Sequence, residues 1–246
     1  MGFIGVIDSG VGGLTILQQL KNTYNCNFCY LADHAFCPYG NKSNDVLHSR
    51  AITLTQYLMS HGAQAVVFAC NTLSAFAKDV QTVCNLPVYE VITPTCNAVL
   101  SCPNVNRVAL LATRSTIQNG AYQTILAEKG ITVLPFDCSA FVPYIENCDL
   151  SSANCKKAVY NALNNLPNAN ADAIILGCTH FPLLRDQISR FCPNSQIITC
   201  SCVLPLSVSQ CGLQSNVTTY LTTGDERSAN LAAQCFGNVS FTHVQV

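Results

Sequence analysis

Two cysteines stand at matching points of two similar segments. Val66-Val67-Phe68-Ala69-Cys70-Asn71-Thr72 is an apolar, strand-like run ending in a small residue, a cysteine and polar groups. Ile174-Ile175-Leu176-Gly177-Cys178-Thr179-His180 repeats that layout 108 residues later. A thiol does acid–base work only when its neighbours adjust its proton affinity. Candidate neighbours exist on both sides: Asp8 or Asp33 for Cys70, and His180 two residues after Cys178. Backbone amides at the start of the helix following each cysteine would add a field that favours a thiolate. Two thiols reaching a ligand from opposite sides suit the movement of a proton across one carbon atom.

The bland reading is strong, because a buried cysteine is usually inert packing and this chain has sixteen of them. A lone histidine such as His180 is likewise more often structural. Position separates this pair from the rest: each ends a strand and precedes polar residues, so each should face a cleft. Other landmarks recur at nearly the same offset. Phe36-Cys37-Pro38-Tyr39 returns as Phe141-Val142-Pro143-Tyr144, and the run ending at Asp8 returns as one ending at Thr113, both 105 residues on. Such self-similarity predicts two related halves built in succession.

The elements that must carry these residues alternate. Short apolar runs at Phe3–Ile7, Phe28–Leu31, Val66–Ala69 and Val88–Ile92 read as buried strands. Helices are predicted over Leu14–Leu20, from an N-cap at Ser43 to Ser60 with Gly62 as the stop, and over Leu73–Val83. The second half repeats the scheme with strands at Val108–Ala112, Ile131–Leu134, Ile174–Leu176 and Ile197–Thr199. Helices there are expected over Thr116–Lys129, Ser152–Leu166 and Leu183–Phe191, with a loop entering a helix at Phe141–Glu146. After Gly212 the chain returns to a strand, a helix (Glu226–Cys235) and a last extended piece. This alternation predicts an α/β fold with parallel sheets covered by helices on both faces. The expected division is residues 1–92 plus 204–246 as one α/β domain and 93–203 as the other. Ligands of such sheets bind beyond the carboxyl ends of the strands, where Asp8, Asp33, Cys70, Thr113 and Cys178 all fall.

Composition narrows the function class. Charged residues make up 10% of the chain, against roughly 25% in ordinary soluble domains. A net charge of −1 offers no field for nucleic acid or an anionic membrane. No apolar run approaches the roughly 18 residues of a membrane span, and the start MGFIGVIDSG lacks a basic region, so no signal peptide is expected. Most of the cysteines then read as free thiols in a reducing cytoplasm. Cys200-Ser201-Cys202 is a tight pair, but its single intervening residue fits zinc poorly, so no metal is expected.

The competing reading is a dinucleotide loop. Gly10-Val11-Gly12-Gly13 follows a strand and opens a helix, and Asp33 lies about where a ribose-binding acid would be. Against it, Thr15 stands at the third glycine position, Asp8 would repel a pyrophosphate, and the second half has no equivalent glycines.

Taken together, Asp8-Ser9-Gly10-Val11-Gly12-Gly13, Pro38-Tyr39-Gly40, Ala69-Cys70-Asn71-Thr72 and Leu176-Gly177-Cys178-Thr179-His180 resemble the signature segments of the glutamate racemase family. Thr113-Arg114-Ser115-Thr116, Phe141-Val142-Pro143 and Thr223-Gly224-Asp225 resemble further blocks in the same order. The resemblance implies a cofactor-free amino-acid racemase of the aspartate/glutamate racemase superfamily, with two pseudo-symmetric α/β domains and the active site between them. Cys70 and Cys178 would be the acid–base pair, with Asp8 and Asp33 assisting Cys70 and Glu146 and His180 assisting Cys178. Substrate contacts would fall on Asp8, Ser9, Tyr39, Gly40, Asn71, Thr72, Thr179 and His180, with Thr113 and Thr116 added. One thiolate would take the Cα proton while the opposite thiol donates, Cys70 facing the proton of D-glutamate and Cys178 that of L-glutamate. Dipoles from Asn71, Thr72, Thr179 and nearby amides would stabilise the carbanion. The implied role is D-glutamate for bacterial cell walls, made in the cytoplasm. Aspartate racemases and related isomerases share the cysteine pair, so substrate identity stays open, as does a homodimer. A redox or metal-binding thiol protein is the alternative from another class. The chain also departs from the family pattern. The family's Asp-Thr-Ala stretch reads Asp33-His34-Ala35, an expected acid-Pro-Gly reads Thr93-Pro94-Thr95, and Cys200 to Gln210 is unlike the pattern.

Overall fold

A computed structural model describes residues 2–200, 206, 217–237 and 239–246. Its strands are β1 (Phe3–Asp8), β2 (Phe28–Ala32), β3 (Ala63–Phe68), β4 (Val88–Glu90), β5 (Arg107–Ala112), β6 (Thr132–Asp137), β7 (Ala173–Gly177), β8 (Gln196–Thr199), β9 (Thr218–Thr222) and β10 (Thr242–His243). They form two parallel sheets, ordered β10-β9-β2-β1-β3-β4 and β6-β5-β7-β8. The inner order β2-β1-β3-β4 of the first sheet reappears as β6-β5-β7-β8 in the second, which is the structural form of the sequence repeat. The C-terminal strands β9 and β10 extend the first sheet at the β2 edge.

Continuous apolar runs form the central strands because helices cover both of their faces. Consecutive residues of β1 show this: Val6 joins a core with Leu17, Tyr30 and Ala233, while Ile7 joins one on the opposite face with Leu31, Leu54 and Phe68. The second sheet is sandwiched in the same way, with Leu111 and Leu176 on one face and Leu110 and Ile175 on the other. Each such side chain, once fully buried, contributes about 1.5–3 kcal/mol of transfer free energy.

The long helix Asn44–Ser60 starts and stops as its sequence predicts. Ser43 accepts from the Val46 amide, and Gly62 takes a φ of 99° beyond its end. Several other helices are shorter than their periodicity suggests. The expected Leu73–Val83 helix is two pieces, Asn71–Ser74 and Ala77–Cys84. The Thr116–Lys129 helix is broken into Arg114–Asn119 and Ala121–Ala127 at Gly120, whose φ is 73°. The segment before Glu146 is a 3-10 turn (Ser139–Phe141) running into the helix Val142–Glu146. The boundary placed near Thr93 falls inside the helix Ile92–Leu100, which takes in Thr93-Pro94-Thr95. Cys202 and the Val203 boundary lie outside the described residues.

Twelve of the described cysteines are free. Cys148 and Cys235 are paired, with Cα atoms 6.2 Å apart, and join the loop after Glu146 to the C-terminal segment. Among the described residues, no helix is long and apolar enough to cross a membrane.

Candidate active site

The carboxyl ends of the two sheets face each other across a cavity of about 230 Å3. Both Cys70, two residues past β3, and Cys178, directly after β7, line it. So do Ser9, Tyr39, Gly40, Asn71, Thr72, Thr113, Thr116, Thr179 and His180. A space of this size fits an amino acid and is below the roughly 300–1,000 Å3 of sites for drug-sized ligands.

The two thiols have different surroundings. Burial pushes the Cys70 thiol up, and the nearby Asp8 carboxylate pushes it further, against hydrogen bonds from the Leu73 and Thr72 amides. Asp8 is itself buried, and burial holds its carboxyl above the usual aspartate range despite the pull of His180 and the Gly10 amide. Its Oδ1 accepts from the Gly10 amide at 3.0 Å and its Oδ2 from the Thr179 hydroxyl at 3.1 Å.

On the other side, Cys178 Sγ lies 3.5 Å from Nδ1 of His180. The opposite ring nitrogen, Nε2, is hydrogen-bonded to Oε1 of Glu146. Burial alone would favour a neutral ring, but the Cys178 sulfur and the Glu146 carboxylate outweigh it and hold His180 protonated well above its ordinary value. Burial would also raise Glu146. Hydrogen bonds from His180 and His34 overcome that and hold it ionised below the usual carboxylate range.

Asp33 sits one residue past β2, as expected, and does not itself line the cavity. Arg50 grips it through Nε at 2.9 Å and Nη2 at 2.7 Å, and the hydroxyls of Tyr39 (2.6 Å) and Thr223 (2.7 Å) occupy the rest of its carboxylate. With both oxygens committed, its contact with the cavity lining runs through Tyr39. Asp8 and Glu146 are also behind the lining, touching it through Thr179 and His180.

The glycine loop is resolved by packing. A Cβ on Gly12 would lie 2.6 Å from both His180 Nδ1 and Thr179 Oγ1, and one on Gly10 would collide with the Glu146 carboxylate. These glycines leave room for the chain's own Glu146, Thr179 and His180 side chains. Among the described residues no group of three or more His, Cys, Asp or Glu side chains is arranged to hold a metal ion.

Other contacts lock the two halves around the cavity. The hydroxyls of Thr72, Thr113 and Thr116 form a triangle with sides of 3.0–3.3 Å. Tyr122 donates to Asn71 Oδ1 at 2.6 Å, and Ser115 donates to the Tyr39 carbonyl at 3.2 Å. Sequence reasoning overlooked Pro38, Ser139, Ala140, Val142 and Pro143, which also line the cavity. The repeat carried that signal: Pro143 is the counterpart of Pro38, so the segment equivalent to the Tyr39 wall belongs in the site.

Comparison with known proteins extends these observations. The profile of the Asp/Glu/Hydantoin racemase family matches residues 28–203. The glutamate racemase of Aquifex pyrophilus is 36% identical over 207 residues, covering 83% of this chain and 81% of that protein. The structure of glutamate racemase isoform RacE1 from Bacillus anthracis superposes with a TM-score of 0.89 at 28% identity, over 100% of this chain and 97% of that one. A glutamate racemase structure from Francisella tularensis in complex with D-glutamate gives a TM-score of 0.86 at 29% identity, over 98% and 97% of the two chains.

Proposed function

The chain belongs to the Asp/Glu/Hydantoin racemase family, and on that footing we propose that it interconverts L- and D-glutamate without a cofactor, using Cys70 and Cys178 as the two acid–base groups. The observation that carries this reading is the placement of the two thiols. They stand at equivalent strand ends of two equivalent sheets and line one cavity, each with its own ionisable neighbour.

The mechanism follows from that asymmetry. The Cys178 thiolate, stabilised by protonated His180, removes the Cα proton of L-glutamate and becomes a thiol. The Cα electron pair then takes a proton from the Cys70 thiol on the opposite face, leaving D-glutamate and a Cys70 thiolate beside Asp8. The reverse reaction exchanges the two roles. Hydroxyls of Thr72, Thr113, Thr116 and Thr179, with Asn71 held by Tyr122, supply dipoles for the substrate carboxylates and the developing negative charge. The sheet β10-β9-β2-β1-β3-β4 belongs to one domain and β6-β5-β7-β8 to the other, so each contributes one thiol. The product would serve bacterial cell-wall synthesis in the cytoplasm, and a homodimer is compatible with this arrangement. Glutamate is preferred to aspartate as substrate because the named relatives above are glutamate racemases.

The test is to incubate the purified protein with L-glutamate or L-aspartate, with no cofactor added, and follow optical rotation. Glutamate should racemise faster. Cys70→Ala and Cys178→Ala should each lose at least about 10²-fold in rate, the lower end of what acid–base groups supply. Retention of more than about a tenth of activity by either variant would reject the two-thiol scheme.

A further inference from the structure

His34 departs from the expected family pattern and has no part in the mechanism above, yet it lies against it. Its Nε2 is buried and 3.3 Å from Oε2 of Glu146, the carboxylate oxygen that His180 does not use. Its Nδ1 is 2.8 Å from the Thr222 hydroxyl at the end of β9. That hydroxyl also accepts from the Gly224 amide at 3.1 Å; when it donates its own proton to Nδ1, the N–H of His34 sits on Nε2, toward Glu146. Phe241 meets the ring edge-on at 5.9 Å, and Gly224 packs so closely that a Cβ there would lie 2.6 Å from the His34 Cβ. The ring is therefore fixed by the C-terminal segment and aimed at a carboxylate from the other half of the molecule.

We propose that His34 is a positioning residue for proton transfer at Cys178, holding the Glu146 carboxylate so that its other oxygen orients His180. The line of contact runs from Thr222 through His34, Glu146 and His180 to Cys178. It gives β9 and the residues after it a part in the chemistry, although none of them lines the cavity. The inference rests on the reading of Cys178 and His180 as an acid–base pair.

The groups facing Glu146 are His180 and His34 by contact, with Asp8, Tyr30 and Cys37 close enough to feel its charge. Removing His34 takes away the contact at Oε2 and leaves the Glu146 carboxylate with His180 and the Val11 amide, both on Oε1. The acidic limb of the kcat/KM profile should therefore move to higher pH.

The experiment compares His34→Ala, His34→Gln and Thr222→Val in the full chain, with Cys178→Ala as the control. The Haldane relation keeps kcat/KM equal in the two directions at an equilibrium constant of one, so direction is read from primary isotope effects with C2-deuterated L- and D-glutamate. His34→Ala should lower kcat/KM about tenfold, less than the 10²–10⁴ of a direct acid–base group. It should also raise the isotope effect for L-glutamate alone and shift the acidic limb upward. His34→Gln, which can still present an N–H near the Nε2 position, should recover most of the rate. Thr222→Val should show the same one-sided isotope effect more weakly, and it decides the matter if His34→Ala does not fold. Equal isotope changes with both enantiomers, an unmoved acidic limb, or a glutamine variant no better than alanine would overturn the role. If Cys178→Ala itself stays active, the underlying two-thiol reading has failed instead.

Discussion

The hydroxyl of Thr179, the residue after Cys178, donates to Oδ2 of Asp8 at 3.1 Å. Asp8 raises the proton affinity of Cys70, so the two sides of the cavity are coupled through one hydrogen bond. His180 reaches the Cys70 side only at one remove, through Nδ1, which lies 3.4 Å from the same Thr179 hydroxyl, and through the charge on Asp8.

This coupling makes the two assistants unequal. His180→Asn should raise the primary isotope effect with C2-deuterated L-glutamate while leaving that with D-glutamate close to wild type. Asp8→Asn should change both, because it alters Cys70 directly and releases Thr179. A comparison of the four isotope effects checks this, and a symmetric response to His180→Asn would show that the histidine serves the whole site.

Gly12→Ala should abolish activity with a smaller effect on folding. Its methyl would lie 2.6 Å from His180 Nδ1 and Thr179 Oγ1, and displacement of a reacting group by about 1 Å costs on the order of 10²-fold in rate. Steady-state kinetics beside a urea titration separates the two effects. A variant with wild-type kcat would show that the loop has room to spare.

The Asp33–Arg50 pair should behave as structure. Asp33→Ala leaves the Arg50 guanidinium buried without its carboxylate and should cost about 3–5 kcal/mol. Chemical denaturation measures the loss, and kcat at a temperature where the variant is folded should fall far less than for Asp8→Asn. A stable but inactive Asp33→Ala would restore Asp33 to the acid–base machinery.

Glu146 should make stability depend on pH. Its native proton affinity is depressed, so the stability it contributes is present above the unfolded value of 4.5 and is lost as pH falls toward its native value. His180 is raised, so its contribution is present below the unfolded value of 6.5 and fades as pH rises through the native one. The difference in urea midpoint between wild type and Glu146→Gln should therefore be largest between those two values. Converted to unfolding free energy, it should amount to about 1.5–3 kcal/mol, the usual size for a hydrogen bond to a charged group. A difference that grows steadily toward pH 3 would contradict the assignment.

The strand ends, the paired cysteines and the two-fold repeat were legible in the sequence because each is a local signal. An apolar run, a small residue and a polar turn lie within seven residues of one another, and the repeat only required two such runs to match. The cap at Ser43 and the stop at Gly62 are local for the same reason. Helix breaks after Ser74 and at Gly120 were not, since periodicity continues across them. Tertiary structure decided which acid serves which purpose. Asp8 and Asp33 look alike as acids at strand ends, and only the arrival of Arg50 from the Asn44–Ser60 helix, with Thr223 from beyond β9, commits Asp33 to a buried ion pair. His34 gained its place because Glu146, 112 residues further on, reaches across from the other sheet. Hydrogen-bond geometry between residues so distant in the chain is set by how two sheets dock, and no periodicity in either segment encodes that.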